Sequence, residues 1–305
     1  MSMDRRFPVN HLVIPSPAKL NLFLAITGRR MDGFHDLVSV AAPVEFGDTL
    51  TVDRRDAGFS LVCDDPALEI DETNLVLRAA RAFADASGWT GGAHFTLTKR
   101  IPMGAGLGGG SSNATSVLRA LNLLAGNLLT TEALAKVAAR LGSDCVLFLQ
   151  AGPVVMRGRG EHVDPLPELA VSRLRGRRVL IFKPPFGIST VWAYRQMAAG
   201  APATYLAASL AEARLAAWVG NATEPAEGLL FNNMEAPAFT KFIALPVALG
   251  CLKAEFGLAP RMSGSGSACF AFLPENAPVI AIARRIRELW GEQAFVTETR
   301  LAELP

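Results

Sequence analysis

Short runs of alternating apolar and polar residues give the chain a β-rich beginning. Between Leu12 and Ile26, apolar residues alternate with small polar ones, and Pro15 and Pro17 interrupt the pattern. This pattern predicts strands that enter and leave a turn. Short apolar or alternating runs of the same kind predict further strands at Thr49–Val52, Phe59–Val62, His94–Thr98, Val154–Arg157, Val179–Phe182, Ala268–Leu273 and Ala294–Thr297.

Helical spacing of apolar residues separates several of these strands. Asn74 can cap a helix that runs through Ala86 and ends before Gly88. Ser143 can cap a short turn that holds Asp144 through Leu149. Other helices are predicted from about Ser112 to Leu124, from Thr130 or Thr131 to Leu141, and over Ala203–Val219 and Val279–Trp290. Strands and helices mixed without a regular βα period favour an α+β fold over a barrel.

Length and composition indicate a folded protein with more than one domain. The 305 residues are about twice the typical domain length. Half of the residues are hydrophobic and 19% are charged, which excludes a disordered chain. The segment Asp164–Arg178, rich in Pro and Arg, is interpreted as the region between domains. The predicted domains are residues 1–166 and residues 167–305.

Charge and hydropathy exclude two classes of partner. The 30 basic and 28 acidic residues nearly cancel and form no long basic run, so a nucleic-acid partner is not expected. The mean hydropathy of +0.27 raises the question of a membrane span. However, glycines and serines interrupt residues 101–118, and residues 242–252 fall short of the roughly 20 that a bilayer requires. Arg5 and Arg6 precede residues 7–14, where polar residues and a proline break the apolar run of a signal peptide. We therefore expect a cytoplasmic protein with no membrane partner.

Cysteine and histidine spacing gives no sign of a metal site built from protein ligands. The four cysteines include no C-x-x-C pair, and the four histidines show no H-E-x-x-H spacing. This favours reduced thiols over disulfides or zinc ligands.

The segment Pro102–Thr115, PMGAGLGGGSSNAT, is the most informative one for function. Its glycines allow a ligand to approach the backbone, and amides at the start of the following helix favour a bound phosphate. It contains G-x-G-x-x-G, but the preceding strand HFTLT is half-polar, which argues against a dinucleotide fold. Gly110 and Ser111 stand where a P-loop needs Lys and Ser or Thr, and the chain has no H-R-D or D-F-G triplet of a protein kinase. A second Gly/Ser segment, Met262–Phe270, could converge with the first on one polyanionic ligand.

Three segments together resemble the motifs of the GHMP kinase superfamily. They are PAKLNLFL at Pro17–Leu24, PMGAGLGGGSS at Pro102–Ser112 and MSGSGSACF at Met262–Phe270. Within the superfamily, the chain is most similar to the kinases that act on 4-diphosphocytidyl-2-C-methyl-D-erythritol. That similarity lies in GRRMDGFHDL at Gly28–Leu37, Gly108–Gly110, GSDCVLFL at Gly142–Leu149 and RGRGEHVDPL at Arg157–Leu166.

The resemblance implies a fold, a reaction and its cofactors. The fold is the α+β, two-domain GHMP kinase fold, with the active site in the cleft between the lobes. The reaction is transfer of phosphate from ATP, with Mg²⁺, to the C2 hydroxyl of 4-diphosphocytidyl-2-C-methyl-D-erythritol in non-mevalonate isoprenoid biosynthesis. Phosphoryl transfer depends mainly on charge neutralisation and alignment, which glycine-loop amides, a lysine and a carboxylate can supply. The implied enzyme is a monomer or homodimer.

The resemblance also implies a role for individual residues. Asp144 is expected to accept the proton of the substrate hydroxyl, with Lys19 holding both groups in place, and Asn21 is expected to contact the same part of the substrate. Phe34, His35 and Tyr194 are expected to bind the cytosine, although Trp192 remains an alternative to Tyr194. ATP is expected to bind Pro102, Met103, Gly104, Ala105, Gly106, Leu107, Gly108, Gly109, Gly110, Ser111 and Ser112.

Two positions depart from the family pattern, and the sequence leaves three other functions open. Asn113 stands where the family usually has Asp, which would affect magnesium binding or the helix start. Residues Cys145–Leu147 replace the usual Val-Pro-Phe, which would change packing. The alternatives are another small-molecule kinase of the superfamily, a catalytically silent nucleotide-binding regulator, and a dinucleotide-dependent oxidoreductase.

Overall fold

The computed structural model describes residues 10–302. Arg5 and Arg6, and residues 7–9 of the segment that was tested as a signal peptide, lie outside the described residues. The strands are β1 (His11–Arg29), β2 (His35–Arg55), β3 (Phe59–Cys63), β4 (Gly92–Thr98), β5 (Val154–Arg157), β6 (His162–Pro165), β7 (Arg178–Lys183), β8 (Phe231–Asn232), β9 (Arg261–Met262), β10 (Cys269–Phe272) and β11 (Phe295–Arg300).

The α-helices alternate with these strands, as an α+β fold requires. They are α1 (Leu75–Ser87), α2 (Gly109–Leu124), α3 (Thr131–Leu141), α4 (Glu168–Val171), α5 (Thr190–Ala199), α6 (Ala208–Gly220), α7 (Glu235–Lys241), α8 (Ala244–Phe256) and α9 (Val279–Trp290). Two 3₁₀ helices cover Ser143–Leu149 and Ala226–Leu229. Among residues 10–302, no single helix is long and apolar enough to cross a bilayer; only α7 and α8 counted together, across a 109° bend, meet that criterion.

The chain divides into two compact units, each assembled from separate stretches of sequence. Unit 1 comprises Met1–Pro17, Gly47–Arg100 and Gly109–Leu149, and unit 2 comprises Ala18–Phe46, Ile101–Gly108 and Gln150–Pro305. Strands β1 and β2 are long enough to contribute residues to both units. The predicted boundary between residues 166 and 167 stays a prediction.

Unit 1 is a small sheet packed with helices, and local signals determine where its helices begin and end. The sheet order is β3-β4-β2, with β4 antiparallel to β2 and parallel to β3. Asn74 caps α1 by accepting a hydrogen bond from the Val76 amide, and α1 ends at Gly88 in the left-handed region. Thr130 caps α3 in the same way. The predictions of these two helices are confirmed, whereas α2 begins at Gly109, three residues before the predicted Ser112.

Unit 2 contains two sheets around one hydrophobic core. The first has the order β6-β5-β2-β1-β8, and the second has the order β11-β7-β10-β9. In the second sheet, Cys269–Phe272 of β10 pairs antiparallel with residues 179–182 of β7. The core includes Leu20, Leu22, Val40, Ile181 and Phe270, whose side chains are almost entirely buried. Strands β1 and β2 of the first sheet carry the polar residues Lys19, Asn21, His35 and Ser39.

Three segments differ from the sequence prediction. β1 continues through Pro15 and Pro17 without a turn, because two prolines two residues apart place their missing N–H groups on the same edge of the strand. The predicted helix Ala203–Val219 begins only at Ala208. The segment Asp164–Arg178 contains α4 and the buried Leu174, so its apolar residues belong to the core of unit 2.

Candidate active site

In unit 2, the first part of the glycine loop packs against the second Gly/Ser segment. The Ala268 amide donates to the carbonyl of Ala105 at 3.1 Å, and Ser263 Oγ donates to the carbonyl of Gly106 at 3.2 Å. Gly106 has a φ of +74°, and a Cβ there would lie 2.3 Å from the Ser263 carbonyl oxygen. Only glycine can therefore occupy this position without displacing the backbone.

Lys19 and Asn21 of β1 lie beside these two turns and are buried. The Lys19 amide donates to the carbonyl of Leu107 at 2.9 Å, and Lys19 Nζ donates to Asn21 Oδ1. The Asn21 amide nitrogen donates to Ser263 Oγ at 3.3 Å, and Nδ2 donates to Ser39 Oγ at 2.9 Å. The alternation of a strand places both side chains on one face, since they are two residues apart. We call Lys19, Asn21, Ser39 and Ser263 the lysine cluster.

The second Gly/Ser segment is shaped by a buried asparagine that the sequence analysis did not identify. Asn232 Nδ2 donates to the carbonyls of Met262, at 2.8 Å, and of Gly264, at 2.9 Å. A Cβ on Gly264 would lie 3.2 Å from Asn21 Oδ1 and 3.5 Å from Lys19 Nζ. The turn therefore fits closely against the lysine cluster.

A second group in unit 2 is aromatic. The rings of His35 and Tyr194 have centroids 4.9 Å apart, and His35 Nε2 lies 3.2 Å from the hydroxyl of Tyr205. Trp192 instead packs edge-on against Phe242, with centroids 5.3 Å apart. Of the two aromatic candidates in this helix, Tyr194 is thus the one that contacts His35. We call His35, Tyr194 and Tyr205 the histidine cluster.

The pKa of His35 is lowered mainly by burial, with the positive charge of Arg29 as a second cause and Asp36 acting in the opposite direction. Just before it, Phe34 is about half exposed. The guanidinium of Arg159 lies 5.0 Å from the centroid of the Phe34 ring. A tight turn carries Phe34, since the amide of Arg30 donates to the carbonyl of Phe34 at 2.8 Å. A neutral His35 can both donate and accept a hydrogen bond.

In unit 1, the start of α2 and the 3₁₀ helix that carries Asp144 are joined through Thr115. Thr115 Oγ1 donates to the carbonyl of Cys145, next to Asp144, at 2.8 Å. Ser112 Oγ in the first turn of α2 is buried and has no hydrogen-bond partner among the described residues. Burial raises the pKa of Cys145 to about 11, so its thiol stays protonated and acts as a packing group. The effect of this departure on packing stays a prediction.

The departure at Asn113 belongs to a buried polar network in unit 1. Asn113 Nδ2 donates to Asp48 Oδ2 at 2.9 Å, and Lys99 forms an ion pair with the same carboxylate. The other oxygen of Asp48 accepts from the Arg100 amide at 2.7 Å. An Asp at position 113 would place two carboxylates side by side, whereas an Asn can donate. The network ties α2 to the residues that precede the glycine loop.

Two family models match the chain on either side of its middle. Residues 74–152 match the GHMP kinases N terminal domain, and residues 208–292 match the GHMP kinases C terminal domain. A protein of Protochlamydia amoebophila, called 4-diphosphocytidyl-2-C-methyl-D-erythritol kinase, is 38% identical over 258 residues, which are 84% of this chain and 82% of that protein. The chain belongs to the GHMP kinase family. The chain is therefore a kinase that acts on a small molecule and uses ATP as the phosphate donor.

Further relatives of this GHMP kinase agree in sequence and in fold. A Synechococcus protein (strain CC9311) of the same name is 38% identical, over 92% of this chain and 93% of its own length. A crystal structure of 4-(cytidine 5'-diphospho)-2C-methyl-D-erythritol kinase matches with a TM-score of 0.75 and 34% identity, over 95% of this chain and 99% of that one. A mevalonate kinase of Methanococcus jannaschii, at 13% identity and a TM-score of 0.71, shares the fold. The predicted superfamily and α+β fold are confirmed, and the oxidoreductase alternative has no support.

The structure brings some of the predicted site residues together. In unit 2, Lys19 and Asn21 contact each other beside residues 102–108 of the glycine loop, and His35 contacts Tyr194. In unit 1, Gly109–Ser112 and Asp144 lie on elements that pack together. Ser39, Asn232 and Tyr205 also contact these residues or turns and were not predicted from the sequence. The chain contains only two tyrosines, and both contact His35.

Proposed function

We propose that this GHMP kinase transfers the γ-phosphate of ATP to the C2 hydroxyl of 4-diphosphocytidyl-2-C-methyl-D-erythritol, in non-mevalonate isoprenoid biosynthesis. The observation that carries the choice of substrate is the contact between His35 and Tyr194 in unit 2. Flat rings beside a buried group that can donate or accept a hydrogen bond suit a nucleobase, which proteins recognise by stacking and by its polar edge. Relatives named 4-diphosphocytidyl-2-C-methyl-D-erythritol kinase, which match most of this chain, support the same choice.

For the phosphate donor, we propose the glycine loop and the start of α2. Backbone amides at the N-terminus of a helix bind phosphate, and the helix dipole adds to the attraction. Residues 102–108 contribute the close backbone approach, and Gly109–Ser112 form the first turn of the 16-residue α2.

Mg²⁺ fits this proposal as an ion that arrives with ATP. Among the described residues, no three His, Cys, Asp or Glu side chains lie close enough together to hold a metal ion. Mg²⁺ usually keeps several waters and binds one or two protein oxygens together with phosphates, so it needs no such cluster. The unpartnered hydroxyl of Ser112 is the protein oxygen we propose for it. When bound, the ion would neutralise charge on the phosphates.

In the proposed reaction, the oxygen of the C2 hydroxyl bonds to the γ-phosphorus of ATP while Asp144 takes the hydroxyl proton. The bond from that phosphorus to the ADP oxygen breaks, and ADP leaves. Lys19 supplies positive charge for the reacting groups, and its bond to Asn21 Oδ1 restricts where the ammonium group can point. We further propose that the enzyme works in the cytoplasm, as a monomer or homodimer.

Release of ADP with alternative acceptors tests the proposal directly. The purified enzyme with Mg-ATP is expected to release ADP with the cytidyl substrate and not with homoserine, mevalonate or galactose. Phosphorus NMR of the product is expected to place the new phosphate on C2. Comparable turnover with any of the other three acceptors, and none with the cytidyl compound, would assign the chain to a different GHMP kinase activity.

A further inference from the structure

Tyr205 lies in a short strap, residues 201–206, that is held firmly against β1. On one side of Tyr205, the Leu206 amide donates to the carbonyl of Ile26 at 3.1 Å. On the other side, Asn233 Nδ2 donates to the carbonyl of Thr204 at 3.0 Å and to that of Ile26 at 2.9 Å. Leu206 thus bonds directly to the Ile26 carbonyl of β1. Thr204 is linked to the same carbonyl through the side-chain amide of Asn233. These bonds fix the residues on both sides of Tyr205 in the chain.

The Tyr205 hydroxyl is the hydrogen-bond partner of a buried histidine. It lies 3.2 Å from His35 Nε2, and the two rings meet edge to face with centroids 5.9 Å apart. Tyr194 contacts the same imidazole with its ring. His35 is 8% exposed, and its neighbouring charges are Arg29 and Asp36, on β1 and β2. One tyrosine therefore contacts the imidazole ring while the other bonds one of its nitrogens.

We propose that Tyr205 is a positioning residue that fixes the orientation and tautomer of His35 and thereby makes the enzyme select cytosine over uracil. This inference rests on the proposed function. A phenol is a good donor, and a neutral imidazole has one acceptor nitrogen. When Tyr205 donates to Nε2, the imidazole proton resides on Nδ1, which becomes a donor of fixed direction.

A fixed donor distinguishes the two pyrimidines because their edges differ at N3. Cytosine carries an unprotonated N3 and a carbonyl O2, both acceptors, whereas uracil carries a proton on N3. A site that is built to donate rejects the analogue that offers a donor, because two donors then face each other without a partner. Without Tyr205, either nitrogen of His35 can carry the proton, and the ring can accommodate either base.

The kinetic test compares Tyr205→Phe with the control Ser172→Ala. The control also removes one hydroxyl group, which donates a hydrogen bond to the Leu169 carbonyl elsewhere in unit 2. Phe keeps the ring and loses only the hydroxyl. We expect Tyr205→Phe to raise the KM for the cytidyl substrate about two- to tenfold, with kcat and the KM for ATP unchanged. For the uridyl analogue, the change is expected to be smaller, so the cytidyl preference falls. An equal change for both substrates would overturn the selection.

A second measurement needs no turnover and therefore separates this inference from the proposed function. Nitrogen-15 NMR of the imidazoles, with the His35 signal assigned by its loss in His35→Gln, reports which nitrogen carries the proton. We expect an Nδ1–H tautomer in the wild type and a shift toward Nε2–H in Tyr205→Phe, but not in Ser172→Ala. An unchanged tautomer in Tyr205→Phe would overturn the positioning role. A wild type with the expected tautomer but no activity on the cytidyl substrate would contradict the proposed function alone.

Discussion

The lysine cluster and the histidine cluster of unit 2 are built in different ways. In the lysine cluster, amide and hydroxyl groups bond to one another and to the backbone of two glycine turns, so almost every polar atom is tied to a neighbour. In the histidine cluster, the His35 ring contacts the rings of Tyr194 and Tyr205, and its Nε2 lies within hydrogen-bond distance of the Tyr205 hydroxyl. A connected buried polar network tolerates change poorly, because removing one member leaves others without partners.

This difference predicts that the two clusters have different roles, one in aligning the reacting groups and the other in binding the base. Groups that align reacting atoms must be held within a fraction of an ångström, which a dense network achieves. Groups that bind a flat base need an apolar surface and one directed bond, which rings provide. We therefore expect changes near the lysine cluster to lower kcat or stability, and changes in the histidine cluster to raise the substrate KM.

The largest expected effect comes from the proposed base and its lysine. Asp144→Asn keeps the size of the side chain but cannot accept the proton, so kcat is expected to fall about 10²- to 10⁴-fold while ATP and substrate still bind. Lys19→Met is expected to lower kcat strongly as well. Because the two residues act on one step, the double variant should lose much less than the product of the single losses. Steady-state kinetics on folded variants checks this, and an Asp144→Asn enzyme within a few-fold of wild type would remove Asp144 from the proposed mechanism.

Next in size is the close packing at Gly106, for which Gly104 offers a matched control. Both residues have positive φ, but a Cβ at Gly104 would meet only Gly187 Cα, at 4.0 Å, whereas one at Gly106 would meet the Ser263 carbonyl at 2.3 Å. Gly104→Ala should cost only the conformational strain, about 1–2 kcal/mol, and Gly106→Ala clearly more. Thermal unfolding measures the loss of stability in each variant, and calorimetric titration with an ATP analogue measures the loss of affinity. Equal losses would contradict the packing of the two glycine segments.

A smaller effect is expected in the histidine cluster, where Trp192 is the matched control for Tyr194. Loss of a stacked ring typically costs about 1–3 kcal/mol, so Tyr194→Ala is expected to raise the KM for the cytidyl substrate roughly five- to 150-fold and to leave the KM for ATP unchanged. Trp192→Ala removes a ring that packs on Phe242 and should change this KM little. The same kinetic assay reads both variants. If Trp192→Ala has the larger effect, the base lies on the other side of α5.

The smallest expected effect is the pH dependence that His35 contributes. Its pKa is lowered in the folded protein, so the unfolded chain binds a proton at a higher pH than the folded one. The stabilising contribution is therefore present above the ordinary histidine pKa and is lost as the pH falls from that value through the lowered one. Urea unfolding at several pH values should show this slope in the wild type and a shallower one in His35→Gln. Identical slopes would mean that His35 is no more buried than in the unfolded chain.

Local signals were enough to predict several elements and some candidate residues. Asn74, Gly88 and Thr130 mark the ends of α1 and α3 because a cap bonds to backbone within a few residues of itself. The glycine loop was recognisable because its glycines stand together in one short stretch of sequence. Lys19 and His35 were identified only through resemblance to a family, and their roles stay predictions.

Tertiary contacts decided the parts that sequence reasoning missed. The strap that carries Tyr205 has enough apolar residues to predict a helix, but residues 201–204 form turns, and bonds to Ile26 and Asn233 hold Thr204 and Leu206 in place. His35 and Tyr205 are 170 positions apart, and Asn21 and Ser263 are 242 apart. No local pattern records such pairs, because each residue type is compatible with many partners until the sheets of unit 2 bring the strands and turns together. The sequence alone therefore determined the helix caps, the positions of the glycine segments and the family. The packing of distant segments decided how the two glycine turns fit together and which partner each buried polar side chain has.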